Sequence, residues 1–189
     1  MIDRKKLGMI IIVIGSMLIL FGMQNKLNKR LSYIALFQNN IRELKTFTIM
    51  NGRISYKLPS KWNTEIKNLP GGEITYHNEF HSENNVIYGF VQVWNINDNL
   101  KDFLSKSKNV SEKGNQVTDY NIRMTTISNR KWYEVSYNIS GINPQVFNAH
   151  EYFIKNGNNI IRFSFFVRRE NFKENMEGIY NALVGTLKF

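Results

Sequence analysis

The feature that most constrains the fold is an uncharged apolar run of 17 residues, residues 7–23. Three basic residues precede it within residues 4–6, and three more follow within residues 26–30. An α-helix rises 1.5 Å per residue, so the run spans about 25 Å, close to the short end of what crosses a bilayer. No A-x-A-like cleavage site follows, and the chain has no cysteine for a lipoprotein linkage. The run therefore predicts an uncleaved signal anchor, which is a single transmembrane helix.

This anchor predicts a single-pass protein of the cell membrane. The N-terminal tail, residues 1–6, is short and carries three basic side chains. A short basic tail favours retention on the cytoplasmic side. We therefore expect the C-terminal domain to be extracytoplasmic, with the lipid bilayer and a membrane-bound protein as its partners.

Small residues recur at intervals of seven along the anchor, at Gly8, Gly15 and Gly22. They lie near one face of a helix, and small residues let two helices pack closely in lipid. The pattern is compatible with self-association through the transmembrane helix, and the competing interpretation is that glycine is simply common in membrane helices. The segment around Gly8 also resembles the basic leader and glycine cleavage point of type IV pilin-like proteins, so a pilin-like subunit is one alternative. The glutamate usual at the fifth mature position of that family is replaced here by Val13.

The formal charge of +10 is concentrated next to the anchor. Residues 1–46 hold eight Lys and Arg against two acidic residues, whereas residues 47–189 hold 17 against 13. Basic residues beside a bilayer gain about 1 kcal/mol each from an anionic surface. The high isoelectric point therefore indicates a membrane surface, and we expect no nucleic-acid partner.

The residue types argue against most enzyme classes. The absence of cysteine excludes disulfides, thiol catalysis and cysteine-based zinc sites. The chain also has no G-x-S-x-G nucleophile elbow and no glycine-rich phosphate loop. His150 is interpreted as a structural or surface histidine. We therefore expect no cofactor, and the sequence favours a non-enzymatic role.

From residue 46 onward the apolar period changes to two, which predicts strands. Four strand pairs are expected, and they flank turn signals such as Asn51-Gly52, residues 82–85, Asn129-Arg130 and residues 156–159. Asp98 is expected to cap a short helix that ends near Lys108, followed by a loop over residues 106–115. A helix over residues 172–183 closes the chain. The fold class is α+β, with an antiparallel sheet whose one face is covered by helices and whose other face is wetter.

The order of these elements resembles a known family. A strand followed by Pro59-Ser60-Lys61-Trp62 resembles the opening of PsbP-like domains, and the last strand pair with its helix resembles their ending. The resemblance covers residues 47–189 in layout. It implies the α/β sandwich that PsbP-like and bacterial DcrB-like envelope proteins share, and an accessory or binding role without transferable catalytic residues.

The sharpest polar motif is His77, Glu79 and His81, with Glu83 following at the same spacing. At strand period these side chains project from one face, and imidazole with carboxylate is a credible set of metal ligands. A metal-dependent envelope hydrolase is therefore a second alternative. A solvated strand face would show the same pattern, and we favour that interpretation.

A basic patch is the other candidate site. It would comprise Lys131, Trp132, Arg162, Arg168 and Arg169, gathered on the open face of the sheet. Such a patch could bind an anionic ligand through charge and cation–π contacts. An ordinary basic surface is the competing interpretation.

The sequence thus predicts four segments: a basic tail of residues 1–6, an anchor of residues 7–23, a juxtamembrane helical stalk of residues 24–46 and a PsbP-like domain of residues 47–189. The expected function is that of a membrane-anchored accessory or binding domain of the bacterial cell envelope. Its mechanism would be tethering, which raises the concentration of the domain near membrane partners.

Overall fold

We describe the protein from a computed structural model that covers residues 4–113, 115–141 and 145–189; the described side chains exclude residues 4–8 and 21–29. Two helices flank the first half of the strands, and a third closes the chain. In chain order the elements are α1 Arg4–Gln38, β1 Leu44–Ile49, β2 Ile54–Pro59, β3 Asn63–Ile66, β4 Ile74–His81, β5 Ile87–Asn95, α2 Leu100–Glu112, β6 Gln116–Ile127, β7 Arg130–Ser140, β8 Val146–Asn156, β9 Asn159–Arg168, a 3-10 turn Arg169–Asn171, and α3 Met176–Val184.

Seven strands form one antiparallel sheet in the order β3-β4-β5-β9-β8-β7-β6, and β1 and β2 form a separate pair. The expected strand pairs are confirmed, and β3 is an addition. Turn chemistry explains the pairing. Between β1 and β2 the chain turns through Met50, Asn51 and Gly52, all with positive φ, and between β8 and β9 it turns through Gly157 with φ of 58°. Asn and Gly tolerate this left-handed conformation, which keeps the hairpins tight.

The back face of the sheet, which carries Phe163 and Phe165 on β9, packs against α3 and the β1–β2 pair. Tyr180 of α3 stacks on Phe165 with ring centroids 4.3 Å apart, and Tyr56 of β2 meets Phe163 edge-on at 5.6 Å. Trp62 of the Pro-x-x-Trp segment stacks on Phe80. This aromatic layer is the main core of the domain.

The front face, which carries Ile160 and Phe166 on β9, is covered in part by α2. Phe103 and Leu104 of α2 are buried against Val135, Tyr137 and Phe153. The expectation of one wetter face is therefore wrong for this part of the sheet, because the apolar side chains of β7 and of β9 lie on opposite faces and both need cover.

Helix α2 differs from its expected form at both ends. Its N-cap is Asn99, whose side-chain oxygen accepts from the backbone N–H of Lys101 at 3.0 Å, whereas Asp98 binds Lys106 at 2.6 Å. The helix continues to Glu112. The predicted loop over residues 106–115 is thus wrong up to that residue. In this last part of the helix, Lys108 lies 3.7 Å from the Glu112 carboxylate one turn later and 4.9 Å from the centroid of the Tyr120 ring on β6.

The prediction of an N-terminal transmembrane helix is wrong. In the described part of the chain, no helix is long and apolar enough to cross a membrane. Gly15 has open space where a side chain would be, whereas Gly8 and Gly22 lie outside the described side chains.

The C-terminal part of α1 packs on α3. A Cβ placed on Gly178 of α3 would lie 3.0 Å from the Cβ of Ala35, so the two helices approach closely there. Leu36 and Ile41 join the back-face core, but Leu31 and Phe37 remain exposed. The helix therefore docks on its own domain through the side that carries Ala35 and Leu36.

Candidate ligand-binding surface

Part of the front face is left uncovered by α2, and aromatic side chains occupy it. Tyr88 and Phe90 lie two residues apart on β5, so they share that face. The strand register sets Tyr88 opposite Phe166 of β9, and Phe147 of β8 lies opposite Arg168. We call Tyr88, Phe90, Phe147 and Phe166 the aromatic surface.

The aromatic surface is concave. One cavity of about 500 Å³ is lined by Tyr88, Phe90 and Phe166 together with the β3–β4 edge. A second, of about 580 Å³, continues from Tyr88 and Phe166 to Phe147 and Arg168. Because Tyr88 and Phe166 line both cavities, the two adjoin on the front face, and together we call them the trough.

Gly89 allows β5 to lie close to both the neighbouring strand β9 and the ring of Phe80. A Cβ on Gly89 would come within 2.1 Å of the backbone oxygen of Ser164 and within 2.5 Å of the Phe80 ring. The lack of a side chain lets Phe80 pack against the strand from the back. Tyr88 and Phe90 are thereby held on the front.

A chain of polar side chains borders the trough at the β4 edge. His77 is buried, its Nε2 lies 3.0 Å from Glu79, and its Nδ1 lies 2.9 Å from the side-chain amide of Gln92. Lys67 donates to Glu79 at 2.5 Å, and the indole N–H of Trp94 donates to Gln92 at 3.1 Å. The hydrogen bonds from Lys67 and then from His77 lower the pKa of the Glu79 carboxyl below its usual range.

The three residues of the predicted metal set are not assembled around one point. Both ring nitrogens of His77 have partners, and the Nδ1 of His81 lies 3.3 Å from the backbone oxygen of its neighbour Ser82. Among the described residues, no group of three His, Asp or Glu is placed to hold a metal ion. His77 is also not on a solvated face, because the β4–β5 pairing buries it.

A buried ion pair lies below the aromatic surface, on the same face. Glu151 accepts hydrogen bonds from Arg162, from Tyr137 at 3.2 Å and from Ser164 at 3.1 Å. The Arg162 guanidinium carbon lies 4.9 Å from the ring centroid of Phe90. The ion pair therefore packs against the ring of Phe90.

The predicted basic patch does not form one surface. Trp132 is 1% exposed and belongs to the back face, where it meets Phe163 edge-on, whereas Arg162 lies on the front face bound to Glu151. Lys131 begins β7, and Arg168 ends β9, so they lie at opposite ends of the sheet. Alternation along β7 places Trp132 in the core, because both faces of this strand are covered.

Arg169 lies in the exposed 3-10 turn that follows β9. Of the five predicted patch residues, only Arg168 borders the trough.

A second ionic cluster, centred on the buried Glu134 and His150, lies on the back face beside α3. Arg123 donates two hydrogen bonds to Glu134, at 3.0 and 2.8 Å, and His150 Nδ1 lies 3.7 Å from Glu134. Burial raises the pKa of the Glu134 carboxyl, but His150 and Arg123 outweigh it, so the pKa lies below its usual range. His150 also stacks on Phe172, and Arg123 reaches Glu177 of α3. The cluster fastens α3 to the sheet.

The aromatic surface is not among the sites predicted from the sequence. Two sequence features indicated apolar side chains on both faces of the central strands. One is the run of residues 86–94, which is apolar on both faces, and the other is the adjacent pair Phe165 and Phe166. Neither signal tells which aromatic side chains a helix covers.

No family model matches this chain, and no curated protein matches it at significant sequence similarity. Solved structures do resemble it. The solution structure of the cyanobacterial PsbP protein CyanoP from Synechocystis sp. PCC 6803 matches with a TM-score of 0.59 and 12% identity, over 78% of this chain and 93% of that chain.

Two further structures are more distant. The protein of unknown function PA94 from Pseudomonas aeruginosa matches with a TM-score of 0.46 and 11% identity, over 78% of this chain and 97% of that one. LpqN of Mycobacterium tuberculosis, described as involved in cell envelope biogenesis, matches with a TM-score of 0.47 and 10% identity, over 80% of this chain and 95% of that one. Neither score is high enough to inform the function. The match to CyanoP confirms the expected resemblance: the fold of this chain is PsbP-like over most of its length.

Proposed function

We propose that this protein is a non-enzymatic binding or accessory domain of the bacterial cell envelope, whose ligand site is the aromatic surface. One observation supports this most directly: Tyr88, 39% exposed, and the half-buried Phe166 line a cavity on the part of the sheet face that α2 leaves open. A folded domain rarely leaves a contiguous apolar surface open unless something binds there. The bordering polar groups hydrogen-bond to one another, so they support the surface.

Binding of an aromatic sulfonate dye, anilinonaphthalene sulfonate, tests this site. We expect the full chain to have two classes of dye-binding site, one at α1 and one at the aromatic surface. Replacing Phe166 by serine should remove one class, because the dye loses a ring to pack on. The measurement is a fluorescence titration of both proteins.

The matched control is Ile122→Ser on β6, where an exposed apolar side chain lies outside the trough. That variant should keep both classes. If Phe166→Ser and Ile122→Ser titrate alike, the aromatic surface is not a binding site.

The exposed apolar side chains of α1 support attachment to a lipid surface, as a second part of the proposal. Ten large apolar residues within residues 9–20 are each more than half exposed. The positive charge of residues 1–46 would add attraction to anionic lipid. Attachment would raise the concentration of the domain near other membrane-bound molecules.

Flotation of the full chain with vesicles of phosphatidylcholine and phosphatidylglycerol tests the attachment. We expect wild-type protein to float and Met17→Asp to float several-fold less, because a carboxylate in the apolar segment opposes transfer to lipid. Met124→Asp is the control, since Met17 and Met124 are 62% and 64% exposed and Met124 lies on β6. Equal flotation of Met17→Asp and the wild type would contradict attachment through this segment.

A further inference from the structure

The rings of the trough form an aromatic platform with polar side chains in line with it. On the front face, the strand register sets Asn63, His81, Tyr88 and Phe166 side by side across four strands. The next row holds Glu65, Glu79 and Phe90. The Phe90 and Phe166 rings lie 5.9 Å apart at 38°. Each row therefore runs from hydrogen-bonding groups at the edge to aromatic rings at the centre.

The polar edge offers both donors and acceptors. The Asn63 amide and the Tyr88 hydroxyl each do both, and the Glu65 carboxylate accepts. Asn63 is exposed, and the Glu65 side chain is 70% exposed. These groups are therefore open to a ligand lying on the rings.

The charges bordering the trough balance. Glu65 and Glu79 contribute two negative charges, and Lys67, within 3.5 Å of Glu65 and 2.5 Å of Glu79, offsets one of them. Arg168 at the far end contributes the other positive charge. Arg162, nearer the centre, is neutralised by Glu151. A strongly ionic ligand would find no matching excess charge here.

We propose that the aromatic surface binds a neutral carbohydrate chain, an inference that rests on the proposed function of this surface. A sugar ring presents an apolar C–H face that packs on aromatic rings and a hydroxyl edge that both donates and accepts hydrogen bonds. That combination fits the platform of Tyr88, Phe90 and Phe166 with Asn63 and Glu65 at its side.

The shape of the site favours a chain over a single sugar. The two cavities, of about 500 and 580 Å³, adjoin at Tyr88 and Phe166, and each is open to solvent. A ligand that spans both would rest on the platform at one end and on Phe147 at the other. Successive sugar rings of an oligosaccharide can occupy such a trough.

Calorimetric titration of the full chain with chitohexaose, cellohexaose and maltohexaose tests the proposal, with an oligogalacturonate of the same length as an acidic comparison. We expect at least one neutral oligosaccharide to bind with a Kd below about 10 mM. Tyr88→Ala should weaken that binding at least about tenfold through the loss of a stacking ring. Asn63→Ala, at an exposed position, should weaken it several-fold. Ile122→Ala on β6 should leave it unchanged.

Binding of none of the three neutral oligosaccharides overturns the proposal, as does binding of the oligogalacturonate alone. Equal affinities of wild type and Tyr88→Ala would also overturn it, because binding would then be elsewhere. The dye titration separates the proposal of a binding surface from the proposal of its ligand class. If the dye binds in a way that depends on Phe166 but no oligosaccharide binds, only the ligand class is refuted. If no oligosaccharide binds and dye binding does not depend on Phe166, the binding surface itself is refuted.

Discussion

Replacing Glu151 by alanine should lower the free energy of unfolding by about 3–5 kcal/mol. The Glu151 side chain is 3% exposed and accepts hydrogen bonds from Arg162, Tyr137 and Ser164. Its removal leaves the Arg162 guanidinium, whose side chain is 13% exposed, as an unpaired charge inside the domain. Burying an unpaired charge is far more costly than losing the attraction between two paired ones. Urea unfolding followed by tryptophan fluorescence measures the loss.

Two further variants separate the charge effect from a general loss of packing. Glu65→Ala removes a carboxylate whose side chain is 70% exposed, and it should change stability by less than about 0.5 kcal/mol. The double variant Glu151→Leu with Arg162→Met should recover most of the loss, because it buries no unpaired charge. A cost below about 1 kcal/mol for Glu151→Ala would show that Arg162 finds solvent or another partner, contrary to this account.

Gly89→Ala should destabilise the seven-stranded sheet. The new Cβ would lie 2.1 Å from the Ser164 backbone oxygen and 2.5 Å from Phe80. The aromatic ring can rotate, but the oxygen belongs to the neighbouring strand, so β5 and β9 must separate. Overpacking of this kind costs about 1–3 kcal/mol, and more when backbone must move. Thermal unfolding and urea unfolding of the full chain measure it.

Gly141→Ala is the matched control. Its Cβ would meet the Asn115 side chain at 3.5 Å, an ordinary contact, so stability should change little. Because β5 carries Tyr88 and Phe90, Gly89→Ala should also weaken dye binding at the aromatic surface. Unchanged stability of Gly89→Ala would mean that the two strands can separate at no cost, and the close approach would then have no structural role.

Local patterns explain why the strand pairs could be predicted. A period of two determines which side chains share a face, and turns such as Asn51-Gly52 bring neighbouring strands together. These preferences act over a few residues, so the sequence of a single segment is enough to show them. The short strand β3 was missed because four residues with mostly exposed side chains carry little such pattern.

The candidate site could not be predicted in the same way. His77, Glu79 and His81 share a face, as expected, but the pairing of β4 with β5 placed Gln92 beside His77 and buried it. Trp132 belongs to the core because the back face is covered at β7 as well. Such outcomes depend on contacts between segments that are distant in sequence.

The sequence alone determined the antiparallel strand pairs, the closing helix and the apolar segment of α1, because each follows from short-range periodicity and turn chemistry. Only the tertiary structure decided that α2 covers the Val135 and Tyr137 side of the front face and leaves Tyr88 and Phe166 open. Whether an aromatic residue becomes core or surface depends on which element packs over it. The outcome depends on long-range packing. Three contacts act together here: the burial of apolar area by α2, the ion pair of Glu151 with Arg162, and the close approach of β5 and β9 at Gly89.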